Sequence, residues 1–421
     1  MSGGRRAHVD AESRGTQRLG DSRMGGSDLH GGKVREASES LGIPGHELLD
    51  FSANINFLGP SPRVVEAARR AVDEIGWYPL DPPEPLRRAA ARFLGVPVER
   101  VLLGNGGSEL IFLTVAHLRP RRVAVLGPTF TEYERAARAW GAMVDLILAP
   151  PAVDFAYSAA HIRTLAPRLE DADLVFFCDP NNPTGALWDR EARAALVDIC
   201  GRAGTIVFSD ESFLAFTADW PGGALSTAAP DHVVVLHSLT KILALPGLRV
   251  GALVVPSAVA NELGPRLPPW NINCVAQSAA LAGLADADLV GRTPQAVAEA
   301  RKALVAELRD TAGVERVLAA DGNFLCLRLV APARVVASRM LHEHGILVRD
   351  LTDLPGMATH WMRVAVREQA ENSRLVAALA AVLGSVGSDD VGPAGPEVPT
   401  QRDSATRTET VGADGPRGGR R

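Results

Sequence analysis

Between residues 100 and 255 the chain alternates two hydrophobic patterns. Short unbroken apolar runs occur at Arg100–Leu103, Arg122–Leu126, Val144–Leu148, Leu174–Cys178, Thr205–Ser209, Val233–His237 and Val250–Val255. Their length and branching are those of strands buried on both faces. Between them, over Glu109–Leu118, Tyr133–Ala139 and Arg190–Gly201, apolar residues recur with the spacing of a helix that buries one face. Alternating strands and helices predict an α/β fold around a mostly parallel sheet, since parallel neighbours are reached only through a crossover. Such a sheet binds its ligands at the carboxyl ends of its strands.

Upstream, Val34–Leu41 reads as a short helix and Leu49–Asn56 as a short strand entering a Gly-Pro turn. From Pro62 to Ile75, Val64, Val65, Ala68, Ala71, Val72 and Ile75 fall on one helical face. Trp77–Pro85 must be loop, because its density of prolines forbids regular hydrogen bonding; a helix over Leu86–Leu94 follows. The patterns predict a large domain over residues 61–283 and a smaller α+β domain built from 28–60 and 284–384. Segments 1–27 and 385–421 are rich in Gly, Ser and Arg without periodicity, and are expected to be disordered tails.

Composition narrows this picture in three ways. A hydrophobic content of 46% in 421 residues supports a sizeable core. The net charge of −5 gives no general reason to expect nucleic acid or membrane partners. No apolar run approaches the roughly 20 residues that span a bilayer. Cys178, Cys200, Cys274 and Cys326 lie far apart, with neither disulfide-framework nor metal-ligand spacing; reduced thiols in the cytoplasm, and no metal, are expected.

The chemistry is concentrated after the strands. Val233–His237 leads into Ser238-Leu239-Thr240-Lys241, and Arg249 follows in a Pro/Gly turn. A lysine past a strand, flanked by hydroxyls and a guanidinium, suits a Schiff base to an aldehyde cofactor whose phosphate those groups grip; alone, it also reads as a solvated loop lysine. Leu103-Gly-Asn-Gly-Gly-Ser-Glu109 is a glycine-rich strand-to-helix turn whose free amides suit a phosphate, or simply a turn. Phe130, in Pro128–Tyr133, reads equally as a stacking ring or a core residue. Cys178-Asp-Pro-Asn-Asn-Pro-Thr-Gly185 forces an extended turn that presents Asn182. Asp210, ending an apolar strand, suits a protonated pyridine nitrogen, or caps the next helix.

Taken in order, these elements resemble the fold-type I pyridoxal 5'-phosphate (PLP) enzymes of aminotransferase class I/II, over nearly all of residues 28–384. The resemblance implies Lys241 as the Schiff-base lysine, Asp210 on the pyridine nitrogen, Asn182 on the ring-hydroxyl side and Phe130 stacked on the ring. Gly107, Ser108, Ser238, Thr240 and Arg249 match phosphate-cradle positions. Tyr78 matches a tyrosine that reaches a neighbouring subunit's cofactor, which implies a homodimer with shared sites.

Two branches of that family are similar: histidinol-phosphate aminotransferases and the L-threonine-O-3-phosphate decarboxylases of cobalamin biosynthesis. The stretches His30–Ala37, Leu49–Asn56, Pro269–Asn273 and Met362–Arg367 resemble the second, and Phe213 stands where the first usually carries tyrosine. The second branch implies decarboxylation of a phosphorylated amino acid, with substrate contacts on His30, Gly31, Asn54, Asn182, Arg349 and Arg363. Two arginines also suit a substrate bearing carboxylate and phosphate on general grounds, although either alone reads as a solvated strand residue. Lys33 departs from the branch's usual asparagine, and the loop Tyr78–Pro83 lacks the second tyrosine of the branch's pattern. The alternatives are an aminotransferase sharing every cofactor residue and, since fold does not fix function, a catalytically silent PLP-fold binding protein.

Overall fold

The computed structural model describes residues 31–227 and 230–385. The α/β reading of the middle of the chain holds. Seven strands form one sheet in the order Val101–Gly104, Gly251–Val254, Val233–His237, Ile206–Asp210, Leu174–Cys178, Arg122–Gly127, Met143–Leu148. Only Gly251–Val254 runs against its neighbours. Leu174–Cys178 and Val233–His237 are buried at every position, as continuous apolar runs in a sheet covered on both faces should be. Met143–Leu148 closes one edge, and its exposure largely alternates.

Helices cover both faces. Arg190–Ala203 starts where the Asp189 carboxylate accepts the Glu191 amide and stops at Gly204, whose φ of 76° is left-handed. It packs on the side where Val175, Phe177, Val207 and Val235 point. Gly107–Leu118 and Glu132–Ala139 cover the opposite side, over Phe176, Phe208 and Leu236.

A second sheet, Arg349–Asp350, Trp361–Ala365, Phe324–Leu329, Val314–Val317, is antiparallel and packs on helices Ala333–His344 and Gln369–Gly384. Leu49–Asp50 pairs in parallel with Ile346–Leu347, which attaches the N-terminal segment to this region. The strand expected over Leu49–Asn56 is therefore much shorter. The cause is local: the Asp50 carboxylate accepts from the Ser52 amide, the Ser52 hydroxyl and the Ala53 amide, and turns the backbone out of the sheet.

His30, the tail expected over 1–27 and all of that expected over 385–421 except Ser385 lie outside the described residues. Among the described residues no helix is long and apolar enough to cross a membrane. All four cysteines are free, three of them buried.

Candidate active site

A cavity of about 460 Å³ opens at the carboxyl ends of the parallel strands and extends to the small sheet. Lys241 sits on its wall, one turn into the short helix Leu239–Ile242 that follows the strand Val233–His237. Burial, with the guanidiniums of Arg249 and Arg363 adding like charge, pulls the Lys241 amine down to about 8. A fraction of neutral, nucleophilic amine is thereby present near neutral pH.

The glycine-rich turn and the second half of the lysine motif meet on one side of the cavity. Gly106 has φ of +84°, and a Cβ there would stand 2.4 Å from an Arg249 guanidinium nitrogen. Arg249 is itself left-handed, at φ 61°. Gly107, Ser108 and Ser238 line the same wall. Thr240 does not: it is fully buried, and its hydroxyl lies 2.8 Å from that of Ser238, which it orients. The result is a concave set of amides and hydroxyls beside a guanidinium, suited to a phosphate.

Asp210 ends its strand on the opposite side. Its Oδ2 accepts from the Tyr133 hydroxyl at 2.6 Å and its Oδ1 from the Ser212 amide at 3.0 Å. Burial pushes the carboxyl upward while those two donors pull it down. Tyr133 is held by Phe176, stacked at 5.0 Å and 7°, and by the edge contact of Phe130 at 5.6 Å. Phe130 lines the cavity. The reading of Asp210 as a helix cap fails, because its partners are a tyrosine and a turn amide.

Asn182 and Arg363 come together although 181 residues separate them: an Arg363 Nη1–H donates to Asn182 Oδ1. Its Nη2 donates to Ser52 O at 2.6 Å, and its Cζ lies 5.5 Å over the Phe324 ring. Arg349 is the cross-strand partner of Arg363, so two guanidiniums stand side by side on one wall. Burial and the neighbouring Arg349 pull Arg363 down to about 9. Gly31 and Asn54 line the same wall. Lys33 does not; it lines an adjoining cavity that shares Gly31, Ser52 and Arg349 with the first.

The residues fit PLP. Three polar atoms in residues of this wall, Asn54 Oδ1, Thr129 Oγ1 and Arg363 Nε, are buried with no hydrogen-bond partner in the protein, as in a site built for a polar guest. The amine, the buried acid and the anion cradle occupy separate parts of one cavity, matching the aldehyde, ring nitrogen and phosphate of that cofactor. Tyr78 is absent from the cavity; it is 78% exposed and stacks on Trp270 at 4.3 Å. Sequence reasoning passed over Tyr133 and Ser212. The available signal for Tyr133 was its place three residues beyond Phe130, at the start of the predicted helix Tyr133–Ala139.

The comparisons with known proteins agree with this geometry. The model of the family "Aminotransferase class I and II" matches residues 46–379. The threonine-phosphate decarboxylase of Salmonella typhimurium is 35% identical over 365 residues, spanning 86% of this chain and 99% of that protein. The histidinol-phosphate aminotransferase of Moorella thermoacetica is 31% identical over 359 residues, spanning 84% and 89%. Among solved structures, the histidinol-phosphate aminotransferase of Clostridium acetobutylicum has a TM-score of 0.74 at 25% identity, over 80% of this chain and 100% of that one. That of Sinorhizobium meliloti, solved with pyridoxal-5'-phosphate, shares the fold with a TM-score of 0.73 at 22% identity, over 87% and 99%. The chain thus belongs to the aminotransferase class I and II family and is a PLP-dependent enzyme.

Proposed function

We propose that the enzyme decarboxylates a phosphorylated amino acid, with L-threonine O-3-phosphate as the substrate that suits the site best. The observation that carries this reading is the pairing of Arg349 with Arg363 beside Asn54, a wall with cationic donors for two anions on one small molecule. The similarity to the Salmonella decarboxylase, which extends over 99% of that protein, supports the same choice.

When bound, PLP supplies a sink for the electron pair left on the substrate's α-carbon as carbon dioxide departs. The chain's own residues supply the rest. Asp210 holds negative charge, oriented by Tyr133 and Ser212, where a ring nitrogen must stay protonated. Arg363, fixed by Asn182 and Ser52, orients an anionic group of the substrate, and orientation decides which bond at the α-carbon breaks. Lys241, with its amine near 8, carries a proton at Nζ that it can deliver to the α-carbon.

The test is a pair of assays on the PLP-loaded protein. With L-threonine O-3-phosphate, carbon dioxide release is expected. Plain threonine should have kcat/KM lower by about 10²-fold or more, since charge-assisted contacts to a phosphate contribute several kcal/mol. Equal efficiency with both substrates sinks the two-anion wall. Glutamate formation from 2-oxoglutarate with histidinol phosphate, without carbon dioxide release from the threonine phosphate, establishes the aminotransferase alternative.

The same proposal includes a homodimer. Ile75, Trp77, Tyr78 and Leu80 are 68, 74, 78 and 61% exposed, and Trp270 is 46% exposed, an apolar face suited to a second copy of the chain. Light scattering should give twice the chain mass, and Trp77→Asp combined with Trp270→Asp should give monomer with loosened PLP. A wild-type monomer that binds PLP fully contradicts the shared site.

A further inference from the structure

The carboxyl ends of three parallel strands carry ionisable residues on both faces of the sheet. Cys178, Asp210 and Leu236 pair across these strands. The ladder runs one residue further, with the Asp179 amide donating to Asp210 O at 2.9 Å and the Glu211 amide to Leu236 O at 2.8 Å. Alternation along a strand turns Asp210 toward the cavity. It places Asp179, Glu211 and His237 together on the reverse face, 0, 1 and 3% exposed.

Asp179 is ion-paired there, although its Oδ2 makes no hydrogen bond. Its Oδ1 accepts the Trp188 amide at 2.8 Å, and Arg193 lies 3.1 Å from its Oδ2. Glu211 is only half satisfied. Its Oε1 accepts the Leu225 amide at 2.8 Å, whereas Oε2 has no hydrogen-bond partner and stands 3.6 Å from His237 Nε2. That nitrogen is 3.3 Å from the Ser226 hydroxyl, and the Trp220 indole meets the imidazole edge-on at 5.6 Å.

We propose that Glu211 and His237 form a buried positioning pair that sets Asp210 against Ser238, and with them the ring-nitrogen acid against the phosphate cradle. The proposal rests on the cofactor assignment and not on the choice of substrate. Its geometry is a closed loop. On the cavity face, the Ser238 amide donates to Ser212 Oγ at 3.0 Å, and the Ser212 amide donates to Asp210. On the reverse face, the residue after Asp210 meets the residue before Ser238. These front and back contacts flank the backbone bond from the Glu211 amide to Leu236 O, so side chains on both faces of the sheet hold the two strand ends that this bond joins.

The protonation of the pair fits this role. Burial raises the Glu211 carboxyl to about 8, with Asp179 and Asp210 adding like charge while the Leu225 amide and Arg193 oppose it. Burial lowers His237 to about 3. Near neutral pH the pair is then a protonated acid facing a neutral imidazole, so Glu211 itself adds no carboxylate charge beside Asp210. Asp219 also stands near this rung, 3.7 Å from Arg193 and 3.1 Å from Arg190.

The experiment compares Glu211→Ala, Glu211→Gln and His237→Gln with wild type. PLP affinity, the pH midpoint of the bound chromophore and apoprotein Tm are the readouts. Glu211→Ala should loosen PLP by about tenfold, the cost of leaving one buried group unpaired, and should shift the chromophore midpoint. Glu211→Gln keeps a donor toward His237 and should recover the affinity. The sign of the stability effect is fixed as well. A carboxyl raised from 4.5 to about 8 makes wild type lose stability as pH climbs through that window. The Tm advantage of Glu211→Gln over wild type should therefore grow across the same window. Should Glu211→Ala fail to fold, His237→Gln is scored by the same readouts. A lower Tm with unchanged PLP affinity and chromophore midpoint assigns the pair a merely structural role and overturns the proposal, as does a Tm–pH profile that Glu211→Gln leaves unaltered.

Discussion

Lys241→Ala is expected to lower turnover by about 10⁴-fold or more, the upper range for loss of a general acid–base group, with loss of covalent cofactor anchoring added. Among the residues of the cavity wall, Lys241 is the sole lysine. Its amine is held near 8 by burial and by Arg249 and Arg363, so the neutral fraction grows as pH rises through that value. Covalent uptake of PLP by the wild-type apoprotein should accelerate with pH and level off above it. The variant should keep the phosphate cradle of Gly107, Ser108, Ser238 and Arg249, and so bind PLP without the colour of the covalent form. Borohydride reduction followed by peptide mapping reads the site directly. Label on any lysine other than Lys241 would falsify the assignment, and a pH-independent uptake rate would remove the argument from the depressed amine.

Local patterns carried most of the scaffold. Leu174–Cys178 and Val233–His237 are apolar at nearly every position because both faces of a parallel sheet are covered, and their limits in the structure are those the pattern predicts. Val34–Leu41 ends where Gly42 turns left-handed, a stop legible in one residue. The direction of Gly251–Val254 was not legible. A buried strand's composition is the same whichever way it runs, and here the polypeptide returns through residues 238–250, which hold only the one-turn helix Leu239–Ile242 and no long crossover helix. The shortened strand after Leu49 was missed because Asp50 competes locally for the amides that a strand would pair.

For the site, the lysine, acid and glycine turn were readable because each sits directly after its strand. The contacts between them were not. Arg349 and Arg363 become neighbours only through antiparallel pairing across the segment that separates them. Tyr133 meets Asp210 across 77 positions, and no spacing rule reaches that far. Glu211 reads as one more polar residue after a strand until the reverse face of the sheet brings His237 to it.

Asp210→Asn separates the cost of the buried charge from its use, because the two act in opposite directions. In the apoprotein the carboxylate is desolvated, and burial outweighs the pull of Tyr133 and Ser212, so its pKa lies above the usual range. A raised carboxyl contributes stability at low pH that is lost as pH climbs, which makes ionised Asp210 a burden on the empty fold at neutral pH. Asparagine keeps the side-chain shape and an oxygen for a donor, and removes that charge. The apoprotein Tm should therefore be equal to or above wild type at neutral pH, with the gap closing as pH falls. Once PLP is bound, the carboxylate faces a ring nitrogen that it keeps protonated, and the balance reverses. Loss of a preorganised charge of this kind costs about 10²–10³-fold in kcat. PLP should stabilise the variant less than wild type, with substrate KM changed only a few-fold. Tyr133→Phe, which removes the 2.6 Å donor but leaves the charge, should fall between the two in kcat. Calorimetry with and without PLP, together with steady-state kinetics, measures every part of this. A variant with lower apoprotein Tm and near-normal kcat would mean that the carboxylate holds the fold together and does not serve the ring.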